Sequence, residues 1–338
     1  MTAFAAEYPL QDVAYVYDGT TEGLFTAIFK AYENHEDPQD IVQEGVLQPR
    51  LGQSVKHIEA DAALAARVGA GIERACGKQG LRTCVRASLS DDPDAGSIVY
   101  RFVRYAMSRE KAQGAAGRRQ GREAANAPRG KARGRGMLAN GNALASRCDP
   151  GDALASREAP KRQRFGDDVV QDSTKYRGIL GEIANPEVAP LLALEKSVMN
   201  ERHLMQQFMR FEQLEGGAWF ARCSPKAAVV PLLMDWFSGR FNTQPFAIYD
   251  EVHHMAGVYE GSGWHIVRTD TVNVPEKTED ELAMQRAWQR FYQTVSIDAR
   301  YHPELRVHFM PKRFWRHLPE MNAADITDAA RLQDRTQG

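Results

Sequence analysis

The chain is expected to fold as α+β: a mainly antiparallel sheet with packed helices, interrupted by a disordered basic insertion. Three observations predict this. Residues 210–259 read in the order strand, strand, helix, strand, strand, a run that builds a sheet with helices against it. Residues 13–32 read as a strand, a turn and a helix. From Arg109 to Arg164 the chain has fourteen Lys/Arg against five Asp/Glu and no aromatic residue, too little bulky apolar material to offset the entropy of ordering. The core is therefore expected in two parts, N-terminal α/β at 1–107 and C-terminal α+β at 166–325. The insertion at 108–165 lies between them, and a polar tail follows at 326–338.

In the N-terminal part, Val13-Ala-Tyr-Val-Tyr17 is β-prone and Asp18-Gly19 is a turn. Thr20 or Thr21 then caps a helix with Leu24, Phe25, Ile28, Phe29 and Tyr32 on one side. Residues 58–76 read as a further helix, and Ile98, Phe102, Val103 and Met107 mark another. In the C-terminal part, Leu191, Leu194, Val198, Met205 and Phe208 form a helical stripe that includes Glu201 and leaves His203 outside it. Glu215-Gly216-Gly217 reads as a hairpin turn between two short strands. Ser224-Pro225 reads as the start of the next helix, Phe246–Asp250 and His254–Tyr259 as two more strands. Thr278 to Glu281 is a capping box that opens an amphipathic helix over 279–299.

At 338 residues and 43% hydrophobic content the chain can bury a substantial core, which excludes a wholly disordered protein. No apolar stretch approaches the roughly 20 residues needed to cross a bilayer, and the first residues lack a basic-then-apolar leader. A cytoplasmic protein without membrane attachment is expected. Cys76, Cys84, Cys148 and Cys223 show neither a CxxC pair nor zinc spacing, so they read as reduced thiols, and no cofactor or metal is expected. The net charge of −1 hides a surplus of nine positive charges in the insertion and a deficit of ten elsewhere. The insertion reads as a solvated linker rather than a nucleic-acid tail, because no ring interleaves with its arginines to stack on bases.

Two constellations carry possible chemistry. Lys312-Arg313-Phe314-Trp315-Arg316-His317 mixes cations with aromatic rings, as nucleic-acid binding requires. Lys312, Arg313, Arg316 and Arg210 would contact phosphates and Trp315 would stack. The competing reading makes Phe314 and Trp315 core anchors with solvated cations around them. Glu201, His203 and Asp250 are the candidate catalytic groups, since a half-buried carboxylate can act as general acid or base. Glu201 and His203 point about 160° apart on a helix of 100° per residue, however, and a structural pairing of Glu201 with a distant Arg is the favoured alternative. Asp250, Glu251, His253 and His254 would form a metal site only if a tight turn brought the adjacent histidines to one side. No nucleophile elbow, HExxH helix or Walker loop is present.

Taken together, Tyr17-Asp-Gly-Thr20 with Glu22-Gly23-Leu24, Glu201-x-His203, Phe208-Met-Arg-Phe211, Ser224-Pro-Lys226, Ile248-Tyr-Asp250 and Met310-Pro-Lys-Arg-Phe-Trp315 resemble a bacterial family described as "probable DNA metabolism protein", built on a domain of unassigned function. The resemblance implies an accessory role in DNA repair or modification. Its implied partners are DNA and either a radical S-adenosylmethionine repair protein, encoded beside such genes, or a uracil-DNA glycosylase-like protein, to which some members are fused. It assigns no reaction to this chain, which lacks the CxxxCxxC cluster of a radical enzyme. A nucleic-acid-processing hydrolase using a buried carboxylate and a purely protein-binding scaffold are the competing expectations.

Overall fold

β1 (Val13–Tyr17) is buried at every position, as befits the centre of a parallel sheet covered on both faces. In the computed structural model, which describes residues 12–126, 178–295 and 302–322, β1 pairs in parallel with β2 (Asp40–Gln43) and with β3 (Ser54–His57). Between β1 and β2 runs α1 (Thr21–Glu33). The Thr20 Oγ1 cap accepts the Gly23 amide at 2.8 Å, and the Asp18 carboxylate accepts both the Thr20 amide and its hydroxyl. Leu24, Phe25 and Ile28 of α1 pack into one cluster with Tyr15, Tyr17, Ile41, Ile72 and Phe102.

α2 (Ala62–Ala87) and α3 (Ala95–Asn126) complete this half. Gly77 interrupts α2 with φ 74°, ψ 176°, which divides it into two helical stretches at a residue without a Cβ to clash. The backbone of α3 continues through residues 108–126, part of the segment expected to be an insertion, and residues 127–165 of that segment lie outside the described residues. So does Cys148. The chain divides into two units, Met1–Arg109 with Tyr176–Gly338 and Glu110–Lys175. Everything below concerns the first.

α4 (Ala189–Phe208) belongs to two cores: Leu191 and Leu194 pack with the N-terminal cluster, Val198 and Met205 with a second. The second core fills one side of a five-stranded sheet in the order β4 (Glu212–Gln213), β5 (Trp219–Cys223), β6 (Phe246–Asp250), β7 (Met255–Tyr259), β8 (Trp264–Arg268). β4–β5, β6–β7 and β7–β8 are antiparallel, and β5–β6 is parallel. The expected α+β class holds. The sheets, however, are one wholly parallel and one mixed: α1 crosses over between β1 and β2, and α5 (Val230–Arg240) between β5 and β6, each returning the chain in the same direction. Gly257 on β7 makes room for that helix: a Cβ there would lie 2.4 Å from Met234 Sδ.

α5 begins at Val230 with Pro231 in its first turn, not at Ser224-Pro225, which leaves the Ser224 hydroxyl for other work. α6 (Glu279–Val295) starts after Thr278, whose Oγ1 accepts the Glu281 amide at 3.1 Å. The reciprocal arm of the expected box is not made, since the Thr278 amide donates to Gln213 O and the Glu281 carboxylate accepts Gln285 Nε2. α7 (Pro303–Phe309), a 3-10 segment at Lys312–His317 and α8 (Pro319–Asn322) close the described chain. No described helix is long and apolar enough to cross a membrane.

Candidate functional site

Glu201 is buried on α4 where the helical count places it, and His203 is exposed on another side, bonded to Gln207 at 2.8 Å. The Glu201 carboxylate holds Arg313 through two bonds of 2.6 Å and accepts the Lys226 amide at 3.0 Å. Two residues past α4, Arg210 donates to the buried Glu320 at 2.7 Å. Two fixed cations and two buried carboxylates thus fasten the segment 312–322 onto α4. Phe314 and Leu318 enter the second core between them. Trp315 is half-buried, donates its indole N–H to Met310 O at 3.0 Å, and has Arg306 and Lys312 near its ring at 5.0 and 5.8 Å.

The parallel pair β5–β6 ends with Cys223 opposite Asp250, and the next residue of each strand is polar. Ser224 and Glu251 therefore stand side by side at one edge of the sheet. The fastened segment brings His317 and Arg316 to them. Ser224 Oγ lies 2.9 Å from His317 Nε2 and 3.3 Å from Glu251 Oε2, and accepts a bond from Arg316. Arg316 also donates to Glu251 at 3.0 Å, and Arg222 approaches that carboxylate at 3.6 Å. Arg316 Nε donates to His317 Nε2 at 3.0 Å, which puts the imidazole proton on Nδ1. Burial and the neighbouring Arg316 charge hold the His317 pKa below its ordinary value, so it is neutral at neutral pH.

Asp250 is fully buried beside this edge. Its carboxylate accepts the amides of Val252 and His253 and holds His253 Nδ1 at 2.6 Å, while Nε2 of the same ring lies 2.7 Å from Asp91, in the turn after α2. Burial pushes the His253 pKa down, but the two carboxylates outweigh it and raise it to about 9. The tight turn that adjacent histidines would need is present, with His254 at φ 51°, and it sends His253 to the carboxylates and His254 outward. Both ring nitrogens of His253 are thereby occupied. Among the described residues no group of three or more His, Cys, Asp or Glu is arranged to hold a metal.

On another side of the second core lies an open groove of about 420 Å³. Phe211, Trp219, Trp236 and Phe241 line it together with Arg210 and Arg240, and the Arg240 guanidinium sits 5.4 Å from the Trp236 ring. Residues 168–320 match a family described as a domain of unknown function, DUF4130. No curated protein and no solved structure matches the chain. The matched region holds α4, the mixed sheet and the segment to Glu320, hence the edge, the groove and both fastening pairs, and it leaves out the parallel sheet of the N-terminal half.

Sequence reasoning singled out Glu201, Arg210, Asp250, Arg313 and Arg316, and the fold joins each of them to a charged partner. It placed Glu251 with Asp250 and the adjacent histidines and His317 in the basic run, and it missed that Ser224, Glu251 and His317 meet and that Asp91 holds His253. The only local sign was that Ser224-Pro225 and Asp250-Glu251 each follow a β-prone run; their adjacency depends on the parallel pairing.

Proposed function

We propose that the chain is a cytoplasmic accessory protein of DNA metabolism or repair that binds DNA, preferentially single strands, and works beside a repair enzyme. The observation that supports it best is the open groove in which Trp219 and Trp236 stand with Arg240; Arg210, expected to contact a phosphate, is committed to Glu320. Aromatic faces accept any unpaired base, and guanidinium groups neutralise the phosphates that accompany it. The groove carries the stacking role better than Trp315 does, because it gathers several rings on one open surface, whereas Trp315 offers a single half-buried ring. Lys312 and Arg316, both exposed, extend the positive surface on the fastened segment. Arg313 acts as the clasp that keeps that segment in place, since its guanidinium is committed to Glu201.

A hydrolase built on Glu201 or Asp250 is less well supported. Both carboxylates are filled, Glu201 by Arg313 and a backbone amide, Asp250 by His253 and two backbone amides. Neither has an oxygen directed to solvent as a base.

Fluorescence anisotropy with labelled single-stranded and duplex DNA tests the groove. Trp236→Ala should weaken single-strand binding by about 1–3 kcal/mol, and Arg240→Ala should flatten the salt dependence by about one contact. Duplex binding should change less. If a folded Trp219→Ala/Trp236→Ala protein binds single strands as tightly as the parent chain, the groove is not the binding surface.

A further inference from the structure

The carboxyl ends of neighbouring parallel strands are where open α/β sheets receive their ligands, because the chain leaves the sheet there and the loops part. In the mixed sheet that place is the end of β5 and β6, where Ser224 and Glu251 emerge together. Glu251 is an anion surrounded as a bound anion would be. Arg316 reaches it at 3.0 Å, Ser224 at 3.3 Å, Arg222 at 3.6 Å and His317 at 3.8 Å. The cluster is nonetheless not neutral. Two guanidiniums face one carboxylate, and their side chains are 48% and 58% exposed for Arg222 and Arg316. A second anion can reach both from solvent.

We propose that this edge is a binding site for a phosphomonoester, and that the Glu251 carboxylate occupies the phosphate position until the ligand displaces it. The donors decide the class of ligand. Two guanidinium forks and a hydroxyl match the three oxygens and up to two negative charges of a terminal phosphate better than the two free oxygens and single charge of a phosphodiester. Displacement needs only a side-chain rotation, since Glu251 follows β6 directly and is already 28% exposed. Ser224 remains as a ligand on the protein side, and His317 joins it on taking up a proton.

His317 serves as the built-in reporter. The charged groups around it are Arg316, Glu251, Arg222 and Glu212, the last itself held by Lys277 at 2.8 Å. A phosphate dianion bound beside the ring favours the imidazolium, so binding should move the titration of His317 to higher pH. A solvated Arg–Glu network with no ligand role would not couple phosphate to that ring. The shared chemistry is a terminal phosphate, which either a free phosphate compound or a nucleic-acid strand end can supply. The inference does not rest on the aromatic groove.

The test uses the full chain with inorganic phosphate, followed by calorimetry and by the His317 ring resonances across a pH series. Phosphate should raise the His317 titration midpoint in the parent protein. Glu251→Gln should bind phosphate about tenfold tighter or more, since a competing negative charge has been removed. Arg222→Ala/Arg316→Ala should abolish both binding and the His317 response. A single-stranded oligonucleotide bearing a 5′-phosphate, compared with its 5′-hydroxyl form, then identifies the source. A large preference for the phosphorylated strand over inorganic phosphate assigns a strand end, and equal affinity assigns a free phosphate compound. If Glu251→Gln leaves phosphate affinity unchanged or weaker, or if saturating phosphate leaves His317 unmoved in the parent protein, the proposal is wrong. Should Glu251→Gln not fold, the His317 response of the parent protein against Arg316→Ala decides alone. Groove variants such as Trp236→Ala should leave phosphate binding intact, so this site and the groove fail or stand separately.

Discussion

The two sheets each end in a polar edge at the carboxyl side of parallel strands, and the two edges differ in where their polar groups come from. After β1, Asp18 and Thr20 spend their oxygens on the next amides of the same loop and on the start of α1. After β5 and β6, Ser224 and Glu251 face Arg316 and His317, which lie 65 to 93 residues further along the chain. An edge satisfied locally stabilises its own helix and presents little to a ligand. An edge satisfied from a distance exists only while the distant segment is held in place, and its donors face solvent. Possible function and dependence on tertiary structure therefore coincide at the second edge.

The clasp between Glu201 and Arg313 is the strongest way to break that difference. Glu201→Gln leaves Arg313 without its anion beside a carboxamide, and removal of one partner from a buried pair costs about 3–5 kcal/mol. With Arg313 still 25% exposed the expected loss is near the lower end, about 3 kcal/mol, in chemical denaturation. The same variant should lose order in segment 312–322 before global unfolding, seen as faster amide exchange there. An unchanged denaturation midpoint would mean that the apolar contacts of Phe314 and Leu318 hold the segment unaided.

The bridge from Asp91 through His253 to Asp250 ties the N-terminal half to the second edge, and it is written in pH. The His253 pKa is raised from 6.5 to about 9, so the folded protein binds a proton there that the unfolded chain releases earlier. Its stabilisation is complete below about pH 6.5 and is lost as pH rises through about 9. Melting temperature should fall across that window in the parent chain and much less in His253→Gln. A parallel decline in both proteins would place the pH dependence elsewhere.

At the first edge the effects should be smaller and local. Thr20→Ala removes the oxygen that caps α1 and should cost about 1 kcal/mol in urea unfolding. Phosphate and DNA binding should not change, because none of that loop's groups belongs to the second edge.

How much of this was legible in the sequence follows the same division. The cap at Thr20, the inward turn of Glu201, the hairpin at Gly216-Gly217 and the cap at Thr278 are local, and the structure carries them as read, while the second arm of the box at Thr278 is not made. β2 and β3 have four residues each, with no clear alternation, and they exist as strands because β1 lies between them. β8 is exposed at most of its positions, so no apolar pattern marks it. Ser-Pro is a common helix opening, but Pro231 competes for the same role and the helix takes the later start, which frees Ser224. Arg313 was recognisable as a cation, yet its partner lies 112 residues earlier, and nothing in the spacing distinguishes a clasp from a phosphate ligand.

The smallest stability effect should come from a residue with four polar partners. Glu251 touches Arg222, Ser224, Arg316 and His317, and a simple count of contacts would rank its loss beside that of Glu201. Exposure reverses the ranking. Arg222 and Arg316 keep about half of their side-chain surface in water and can be resolvated when the carboxylate goes, whereas Arg313 cannot to the same degree. Exposed ion pairs contribute roughly 0–1 kcal/mol, so Glu251→Gln should shift the unfolding free energy by less than about 1 kcal/mol. A loss comparable to that of Glu201→Gln would make Glu251 a second clasp for the C-terminal segment, and the two edges would then differ only in how far their structural partners are drawn from. A near-neutral result, with the segment still ordered by amide exchange, would mean that its position at the end of β6 is maintained by Glu201, Phe314 and Leu318, leaving the Glu251 carboxylate free to move.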